Sequence, residues 1–254
     1  MKKLVDFNIE ENIAVGAGCF LLKLHTDEQL PEILPGQFVN VMIEDAGVLL
    51  RRPISIHYAD AKKGILELLV KIAGKGTEKL SHIAKGENIN ILIPLGMEFT
   101  MPAKEDNVLL VGGGVGIAPL YYFAKVMCDN GIKPTLLIGT RSAGDIILKE
   151  KFSQVADLYY TTEDGSYGEK GYPTQHSVLL NNFDKIYTCG PTPMMKGIAA
   201  YANKKGIFCE VSLENKMACG IGACLCCVQD TKEGHKCVCT TGPVFNINDL
   251  KWQN

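Results

Sequence analysis

The sequence has no marked excess of charge of either sign: Lys and Arg number 26, Asp and Glu number 28, and the formal net charge is −2. A protein that binds nucleic acid needs a basic surface, so we expect no nucleic-acid partner. No apolar run approaches the roughly 18 residues that a membrane helix needs, so we expect no membrane segment. Residues 1–11 contain three acidic side chains and no apolar run, which argues against a secretory signal and favours a cytoplasmic location.

Cysteine, by contrast, is abundant, since the chain has ten. Six of them lie in residues 217–245: Cys219, Cys224, Cys226, Cys227, Cys237 and Cys239. The first, second and fourth of these follow the pattern C-x4-C-x2-C, which is typical of plant-type [2Fe–2S] sites. Gly220 and Gly222 suit a loop folded around an inorganic core, because such a loop needs positive φ angles and backbone N–H groups turned toward sulfur. The spacing therefore predicts an iron–sulfur site.

Two other uses of these cysteines remain open. A structural zinc site would also take four thiolates, although zinc ribbons prefer two C-x2-C pairs and only Cys224 and Cys227 have that spacing. Disulfides would need an oxidising compartment, which the start of the chain does not indicate. Outside the stretch, Cys19, Cys128 and Cys209 are expected to be reduced thiols that behave as small apolar residues.

Residues 1–100 alternate short apolar runs with Gly and Pro, a pattern that predicts an antiparallel β-barrel. The expected strands are 19–24, 38–43, 51–57, 65–72 and 89–93. One helical pattern follows Gly74 and Gly76, with Thr77 as its expected N-cap. Free N–H groups at the start of this helix, fed by a Gly-rich loop, predict an anion site that suits a diphosphate.

Residues 101–210 change to a βα pattern, which predicts a Rossmann-like domain with a parallel sheet. The expected strands are 107–111, 135–139, 158–161 and 185–188, and the expected helices are about 119–129, 146–155 and 192–205. Four glycines follow the first of these strands: Gly112, Gly113, Gly114 and Gly116. Such a turn lets the backbone approach a pyrophosphate at a helix N-terminus, and a merely tight βα turn is the alternative.

Loops at the carboxyl ends of the later strands are also candidates for ligand binding, as in other parallel sheets. Arg141 follows the second strand and can meet a dinucleotide ribose or phosphate. Arg141 and Lys149 would equally suit a 2′-phosphate, so the choice between NAD and NADP stays open. Residues 161–171 form a polar, Gly-rich loop. Cys189 begins the loop CGPTPMM after the last apolar strand, and a buried thiol in a turn is the alternative to a functional role.

These motifs resemble the ferredoxin reductase superfamily over nearly the entire chain. Arg52 and Ser55, followed by Gly76 and Thr77, are similar to its flavin-binding pattern, RxYS and then a Gly-rich helix start. GGGVGIAP and CGPTPMM are similar to its nucleotide loops. The pieces ACGIGAC and VCTTGPVF make the chain similar, in particular, to the electron-transfer subunits of class 1B, NAD-dependent dihydroorotate dehydrogenase.

The resemblance implies an FAD-binding β-barrel at 1–100, an NAD-binding α/β domain at 101–210 and a small [2Fe–2S] domain at 211–254. It implies that Arg52 contacts the FAD diphosphate and that Ser55 lies near the isoalloxazine N5, with Ile54 in place of the Tyr of many reductases. Further FAD contacts that it implies are Pro53, Leu69, Val70, Lys71, Gly76 and Thr77. The implied NAD contacts are Gly112, Gly113, Gly114, Gly116 and Arg141.

The same resemblance implies a role for several cysteines. Cys189 is expected near the nicotinamide, on the path of hydride transfer, which makes it the catalytic candidate. Alignment on GPVF selects Cys239 as the fourth cluster ligand, and the expected set is Cys219, Cys224, Cys227 and Cys239. Cys226 and Cys237 are left over, and either could substitute for a member of that set.

A nicotinamide exchanges two electrons at once as hydride, whereas a [2Fe–2S] cluster takes one, so a flavin is expected between them. The resemblance implies that a separate FMN-containing catalytic subunit oxidises dihydroorotate in pyrimidine biosynthesis, and that its electrons pass through the cluster and FAD to NAD⁺. It implies a heterotetramer with two copies of each subunit. One alternative is the flavin and iron–sulfur subunit of a sulfide dehydrogenase or of an NADH-dependent ferredoxin:NADP⁺ oxidoreductase. The other is a zinc-stabilised binding module without enzymatic activity.

Overall fold

The structure, a computed structural model, describes residues 2–44 and 47–252. Its first strands are β1 (Lys3–Gly16), β2 (Cys19–His25), β3 (Phe38–Val41), β4 (Arg52–Asp60), β5 (Ile65–Lys71) and β6 (Asn88–Leu95). They close into an antiparallel barrel in the order β1-β2-β5-β4-β3-β6. The predicted antiparallel barrel is therefore confirmed.

β1 closes this barrel, although it was not among the expected strands. Val5, Phe7 and Ile9 are buried in the interior, and the residues between them are exposed. The acidic side chains of Asp6 and Glu10 therefore occupy outward positions of a half-buried strand. Because β1 pairs with both β2 and β6, it supplies the contact that leaves the barrel without an open edge.

The helix that follows the fifth strand is α1 (Lys75–Ser81), and its N-cap is Gly74. Thr77 lies inside the first turn, where its Oγ1 accepts hydrogen bonds from the backbone N–H groups of Ala73 and Gly74 at 2.8 and 3.2 Å. The prediction of Thr77 as the N-cap is therefore wrong. Its hydroxyl satisfies N–H groups ahead of the helix and fixes the Gly-rich loop instead.

The remaining strands are β7 (Val108–Gly113), β8 (Thr135–Thr140), β9 (Asp157–Thr162), β10 (Glu169–Lys170), β11 (Lys185–Cys189), β12 (Phe208–Ser212), β13 (Val228–Thr231), β14 (Gly234–Cys237) and β15 (Val244–Asn246). A 7-stranded sheet has the order β10-β9-β8-β7-β11-β12-β15, and β13 and β14 form a separate hairpin. The pairs in the large sheet are parallel, except that β15 runs antiparallel to β12. This confirms the predicted Rossmann-like sheet.

Four further helices accompany these strands: α2 (Ala118–Asp129), α3 (Lys149–Ser153), α4 (Thr192–Lys205) and α5 (Val238–Thr241). α2 and α4 agree with the expected spans. α3 is much shorter than the expected 146–155, because Leu148 has the left-handed φ of 54° and a continuous α-helix cannot contain that conformation. No helix within residues 2–44 and 47–252 is long and apolar enough to cross a membrane.

The cysteine-rich segment is attached to both larger units. It leaves the sheet after β12 and returns as β15, which pairs with β12. On the barrel side, the Met97 N–H donates to the carbonyl oxygen of Gly242 at 2.6 Å, just beyond the end of β6. The large sheet thus contains strands from both sides of position 210, and the division into 1–100, 101–210 and 211–254 stays a prediction.

Candidate functional site

The strand order of the large sheet reverses between β7 and β11, which is where open α/β sheets bind their ligands. The Gly-rich turn after β7 forms a short 3-10 turn, Gly114–Ile117, before α2 begins. The loop of Cys189, Gly190 and Pro191 leads from β11 into α4. The two loops predicted to bind a nucleotide therefore lie side by side at the switch point.

The glycines of the first loop have two different roles. An added Cβ on Gly116 would lie 2.4 Å from the carbonyl oxygen of Cys189, and one on Gly112 or Gly113 would lie 2.6 Å from a neighbouring side chain. These three glycines allow the two loops and α2 to pack closely. Gly114 has a φ of +54° and open space where a Cβ would be, so it presents its backbone to the crevice.

A crevice of about 620 Å³ lies between these loops and the barrel, and a second space of about 420 Å³ continues toward the cysteine-rich segment. Residues lining the first include Cys19, Lys71, Gly113, Gly114, Arg141, Asp145, Glu163 and Pro191. Lys71, Gly113, Gly114, Val115 and Pro191 line both. Volumes of this size are typical of sites for cofactors.

Only one of the two basic residues considered for a 2′-phosphate is seen at the crevice. Arg141 lines it with a side chain that is 76% exposed, and its Nε lies 3.9 Å from Oδ2 of Asp145. Lys149 instead donates a hydrogen bond to the Tyr167 hydroxyl and lies 4.5 Å from the centre of that ring. Glu163 also lines the crevice, so the arginine shares this space with two acidic residues, Asp145 and Glu163.

The predicted diphosphate site is brought together by the barrel. Gly76, in the first turn of α1, lies against the guanidinium of Arg52, and an added Cβ there would be 2.5 Å from Nε. With glycine at position 76, the guanidinium can lie directly against the backbone of the helix start. The guanidinium beside a helix start combines positive charge with free N–H groups, which fits a diphosphate. The Thr77 hydroxyl supports the loop ahead of the helix.

Side chains alternate along β4 between the barrel interior and its outer face. Ile54 packs partly against the interior cluster, so Pro53 and Ser55 lie on the outer face. In the register of β3 and β4, Pro53 faces Asn40 and Ser55 faces Phe38. The strip predicted to contact the isoalloxazine is therefore an outer surface of the barrel.

The three predicted flavin contacts on β5 differ in orientation. Leu69 is buried against the core that includes α2, and Val70 is buried in the barrel interior. Lys71 is exposed and lines both parts of the crevice. Of these three side chains, that of Lys71 is the one that reaches the ligand space.

The thiol of Cys189 is fully buried. Burial raises its pKa strongly, with a smaller contribution from the negative charge of Glu214, while a hydrogen bond with Ser212 acts in the opposite direction. The thiol is therefore neutral. Gly190 and Pro191, directly after it, line the crevice, so the predicted catalytic residue contributes backbone close to the ligand space and keeps its sulfur in the core.

The sulfur atoms of the cysteine-rich loop accept hydrogen bonds from its backbone. Cys219 Sγ accepts from the N–H groups of Ile221 and Cys224, each at 3.4 Å, and Cys239 Sγ accepts from that of Gly222 at 3.1 Å. Although burial raises the pKa of the Cys219 thiol, these backbone hydrogen bonds lower it to about 6. The loop thus stabilises thiolate at Cys219, whereas burial and the neighbouring Cys227 raise the pKa of Cys239 to about 12.

The backbone of this loop has the conformation that the sequence predicts. Gly220 and Gly222 have positive φ angles of 72° and 85°. The sulfur of Cys227 also accepts from the backbone, from the N–H of Cys239 at 3.4 Å. N–H groups turned toward sulfur are the surroundings that iron–sulfur clusters use, so the residues present fit such a group.

The two remaining cysteines of the stretch differ from each other. Cys226 is exposed, whereas Cys237 is half-buried and hydrogen bonds with the Cys227 side chain. Within the described part of the chain, no three His, Cys, Asp or Glu side chains converge as ligands of one metal ion.

Glu214 is a crevice residue to which the sequence analysis gave no role. It lines the second space together with Asn215 and Trp252, and it borders the Gly190 loop there. Glu214 is exposed, and partial loss of water around its carboxyl in the crevice acts to raise its pKa. In the sequence, the feature that could have identified Glu214 as a site residue is its position just ahead of the cysteine-rich stretch.

Fold and site together define an oxidoreductase of the ferredoxin reductase class with an iron–sulfur domain. Family models match three successive regions: the oxidoreductase FAD-binding domain at residues 6–99, the oxidoreductase NAD-binding domain at 110–200, and the iron–sulfur cluster binding domain of dihydroorotate dehydrogenase B at 214–251. The chain belongs to the family of electron transfer subunits of dihydroorotate dehydrogenase B (NAD(+)).

Individual relatives agree with this assignment. The electron transfer subunit from Fusobacterium nucleatum subsp. nucleatum is 38% identical over 98% of this chain and 99% of its own length. That from Shouchella clausii is 38% identical over 85% of this chain and 86% of its own. Among solved structures, an NADH-dependent reduced ferredoxin-NADP oxidoreductase superposes with a TM-score of 0.87 at 31% identity, covering 97% of this chain and 90% of that one. A cytochrome P450 reductase from Amycolatopsis shares the fold, with a TM-score of 0.68 at 23% identity over 81% and 68% of the two chains.

Proposed function

We propose that this protein is the electron transfer subunit of an NAD-dependent dihydroorotate dehydrogenase. Electrons from a catalytic subunit would pass through a [2Fe–2S] cluster and FAD to NAD⁺, because the flavin exchanges electrons both singly and in pairs. The observation that carries this proposal is the junction of three sites. The β4 strip pairs with β3, whose Asn40 binds the cysteine loop at Cys219, and the switch-point crevice extends to Glu214, Asn215 and Gln229 of the C-terminal segment.

We assign the cluster to four thiolates: Cys219, Cys224, Cys227 and Cys239. The backbone hydrogen bonds to three of these sulfurs support this set, since they stabilise negative charge on the ligands. Cys237 and Cys239 both lie beside the Cys227 side chain, and what favours Cys239 as the ligand is the hydrogen bond that its sulfur accepts from the Gly222 N–H. Cys226 is exposed and remains outside the set.

For FAD, we assign the diphosphate to Arg52 and the start of α1 with Gly76 and Thr77, which the close approach of Gly76 to the guanidinium supports. The isoalloxazine would lie on the outer strip of Pro53 and Ser55, with only the backbone of Ile54 on this face, and against the end of β5, from Leu69 to Lys71. For NAD, we assign the crevice at the strand-order reversal. Its contacts there would be Gly112, Gly113, Gly114, Gly116 and Arg141, with Cys189 beneath it.

We assign the outer side of the cysteine loop to the partner. Ile221 and Leu225 are 50% and 64% exposed there, next to the exposed Cys224. Exposed apolar side chains beside a redox group suit a protein interface, because electron exchange requires close approach. The partner would be the FMN-containing catalytic subunit, in a heterotetramer with two copies of each chain.

The decisive experiment combines activity with spectroscopy. When the chain is co-purified with its catalytic subunit, dihydroorotate should reduce NAD⁺. In Cys239→Ser the cluster signal in electron paramagnetic resonance (EPR) should disappear while FAD stays bound, since the flavin site shares no ligand with the loop. Cys226→Ser and Cys237→Ser are the matched controls and should keep both groups. Loss of the cluster in either control would show that the ligand set is wrong.

A second function has one observation in its favour, the superposition with the NADH-dependent reduced ferredoxin-NADP oxidoreductase. In that case the chain would serve a ferredoxin-linked complex. Assay of the purified complex separates the two functions: ferredoxin-dependent reduction of NADP⁺ without any response to dihydroorotate would favour this second function.

A further inference from the structure

One strand of the barrel carries both the strip assigned to the flavin and a buried histidine. Along β4, Ile54 and Ile56 pack with the barrel interior. Pro53, Ser55 and His57 alternate with them and therefore face outward. The ring of His57 is fully buried on that face. A contact made by His57 thus holds the same strand that presents Ser55 to the flavin.

A bulge in β4 turns two consecutive side chains toward helix α2. In the pairing of β4 with β5, the register shifts between Ile56 and Tyr58, which leaves His57 as an extra residue. A bulge of this kind re-aims a side chain. The His57 ring stacks on that of Tyr121 with the centroids 4.6 Å apart, and the Tyr58 ring meets the same tyrosine edge-on at 6.5 Å. The barrel is therefore joined to α2 through aromatic side chains of β4.

The polar contact of His57 is with the start of the nucleotide site. Its Nδ1 lies 3.0 Å from the carbonyl oxygen of Ala118, which is the first residue of α2 and directly follows the turn Gly114–Ile117. A carbonyl oxygen only accepts, so Nδ1 carries the ring proton and donates it. Nε2 is buried and has no partner among the residues that the structure describes. Burial lowers the pKa of His57 to about 3, so near pH 7 the ring is neutral and keeps this tautomer.

We propose that His57 is a positioning residue that holds the turn Gly114–Ile117 at a fixed distance from the flavin strip of Pro53 and Ser55. Its backbone belongs to the strand of the strip, and its ring N–H holds the carbonyl group at which the turn ends. The stack on Tyr121 fixes the plane of the imidazole and so the direction of the hydrogen bond. Hydride transfer needs the two reacting rings at a defined separation, which this contact sets. The inference rests on the proposed function, since it takes FAD at β4 and NAD at the switch-point crevice.

Two substitutions separate the hydrogen bond of His57 from its packing. His57→Phe keeps an aromatic ring on Tyr121 but donates nothing to Ala118. His57→Asn loses the ring, while its amide nitrogen takes the place of Nδ1 and still donates. Tyr122→Phe is the matched control, because it also removes one hydrogen bond between α2 and the barrel, that from the Tyr122 hydroxyl to the Ile33 carbonyl oxygen at 3.0 Å.

Each variant, as the full chain holding FAD, is mixed with NADH in a stopped-flow spectrometer. NADH gives one hydride, which carries two electrons, to the oxidised flavin and leaves as NAD⁺. A long-wavelength charge-transfer absorption reports stacking of the two rings before this step. Reoxidation of the reduced flavin by ferricyanide is measured as well, because it needs no nicotinamide. Thermal unfolding gives the stability of each variant.

In His57→Phe we expect FAD reduction by NADH to slow about tenfold, because the turn is no longer held at its distance from the flavin. The charge-transfer absorption should weaken, and reoxidation by ferricyanide should be unchanged. His57→Asn should react within about twofold of the unmodified protein, since the hydrogen bond remains. It should nevertheless melt at a lower temperature than His57→Phe, because the missing ring leaves a cavity against Tyr121. Tyr122→Phe should keep both the rate and the absorption.

Three results would overturn the inference. The first is a His57→Phe protein with the same reduction rate and charge-transfer absorption as Tyr122→Phe, a comparison that suffices if His57→Asn does not fold. The second is a His57→Phe protein in which reoxidation by ferricyanide slows as much as reduction by NADH. The third is a folded His57→Asn protein as slow as His57→Phe, because packing would then set the distance. Failure of the proposed function is distinct, because the unmodified protein would then bind no FAD or would not be reduced by NADH.

Discussion

Gly116→Ala tests whether the contact between the two nucleotide loops controls the crevice. The new Cβ would lie 2.4 Å from the Cys189 carbonyl oxygen, and 2.6 Å from the Cys189 carbonyl carbon and the Gly190 Cα. Ordinary contact begins at 3.4 Å, so the end of β11 must move by about 1 Å. All three atoms belong to the backbone, and no side-chain rotation can relieve the overlap.

The size of the effect follows from this geometry. Overpacking of a well-packed site costs about 1–3 kcal/mol, and the upper part of that range applies where only backbone can yield. For a chain of this size, about 3 kcal/mol lowers the melting temperature by about 6–12 °C. A displacement of about 1 Å at a reacting site lowers the rate by up to about a hundredfold, so we expect slower reduction of FAD by NADH.

Thermal unfolding and NADH-dependent FAD reduction measure these two effects. Gly144→Ala is the matched control, because the nearest atom to its added Cβ is Ser142 Oγ at 3.8 Å. The control should keep both the stability and the rate. If Gly116→Ala melts within about 1 °C of the control and reacts at the same rate, loop contact does not set the geometry of the crevice.

Two other predictions concern charge. Glu163→Gln should lower the KM for NADP⁺ about fivefold, because one carboxylate at this crevice repels a 2′-phosphate by about 1 kcal/mol. Asp164→Asn is the control: it changes the neighbouring carboxylate, which is bound to Ser166, and should leave this KM unchanged. An equal decrease in KM in both variants would contradict a local effect of Glu163. His57 is fully buried, which lowers its pKa to about 3 with help from the positive charge of Lys151. The pKa of His57 in the folded state lies below the unfolded value of about 6.5, so the stability that His57 contributes is present above pH 6.5 and decreases as the pH falls toward 3. At pH 5 the free energy of unfolding should be about 2 kcal/mol lower than at pH 7 because of this residue. In urea unfolding, the free energy of unfolding of His57→Phe should decrease less between pH 7 and pH 5 than that of the unmodified protein. An equal decrease in both proteins would mean that His57 does not titrate on unfolding.

Much of the fold follows from local patterns in the sequence. The closed barrel was predicted from short apolar runs, and the spans of α2 and α4 from their periodicity. β1 was missed because its polar residues occupy the outer face of a half-buried strand, so that the acidic side chains concealed the alternation of Val5, Phe7 and Ile9. The left-handed Leu148 depends on tertiary contacts, and for that reason the short α3 was not predictable from propensity.

Where a motif carries the candidate site, its local geometry follows from the sequence. The cysteine spacing and the glycines of its loop predicted the hydrogen-bonded surroundings that the structure contains. Thr77 was wrongly predicted as the N-cap, because the sequence alone does not distinguish a threonine at the N-cap from one in the first turn of the helix. Asn40 lies 179 positions from Cys219 in the chain, so no local pattern could connect the two residues.

The way in which the cysteine-rich segment is attached bears on how electrons move. Its start follows β12, its end pairs with β12 as β15, and Met97 binds Gly242 beside the barrel. A loop held at these points cannot travel between a distant partner and the flavin as a tethered carrier would. In the proposed function, electron exchange between the two groups would therefore occur at a fixed separation, and surface contact with the partner would be the variable step.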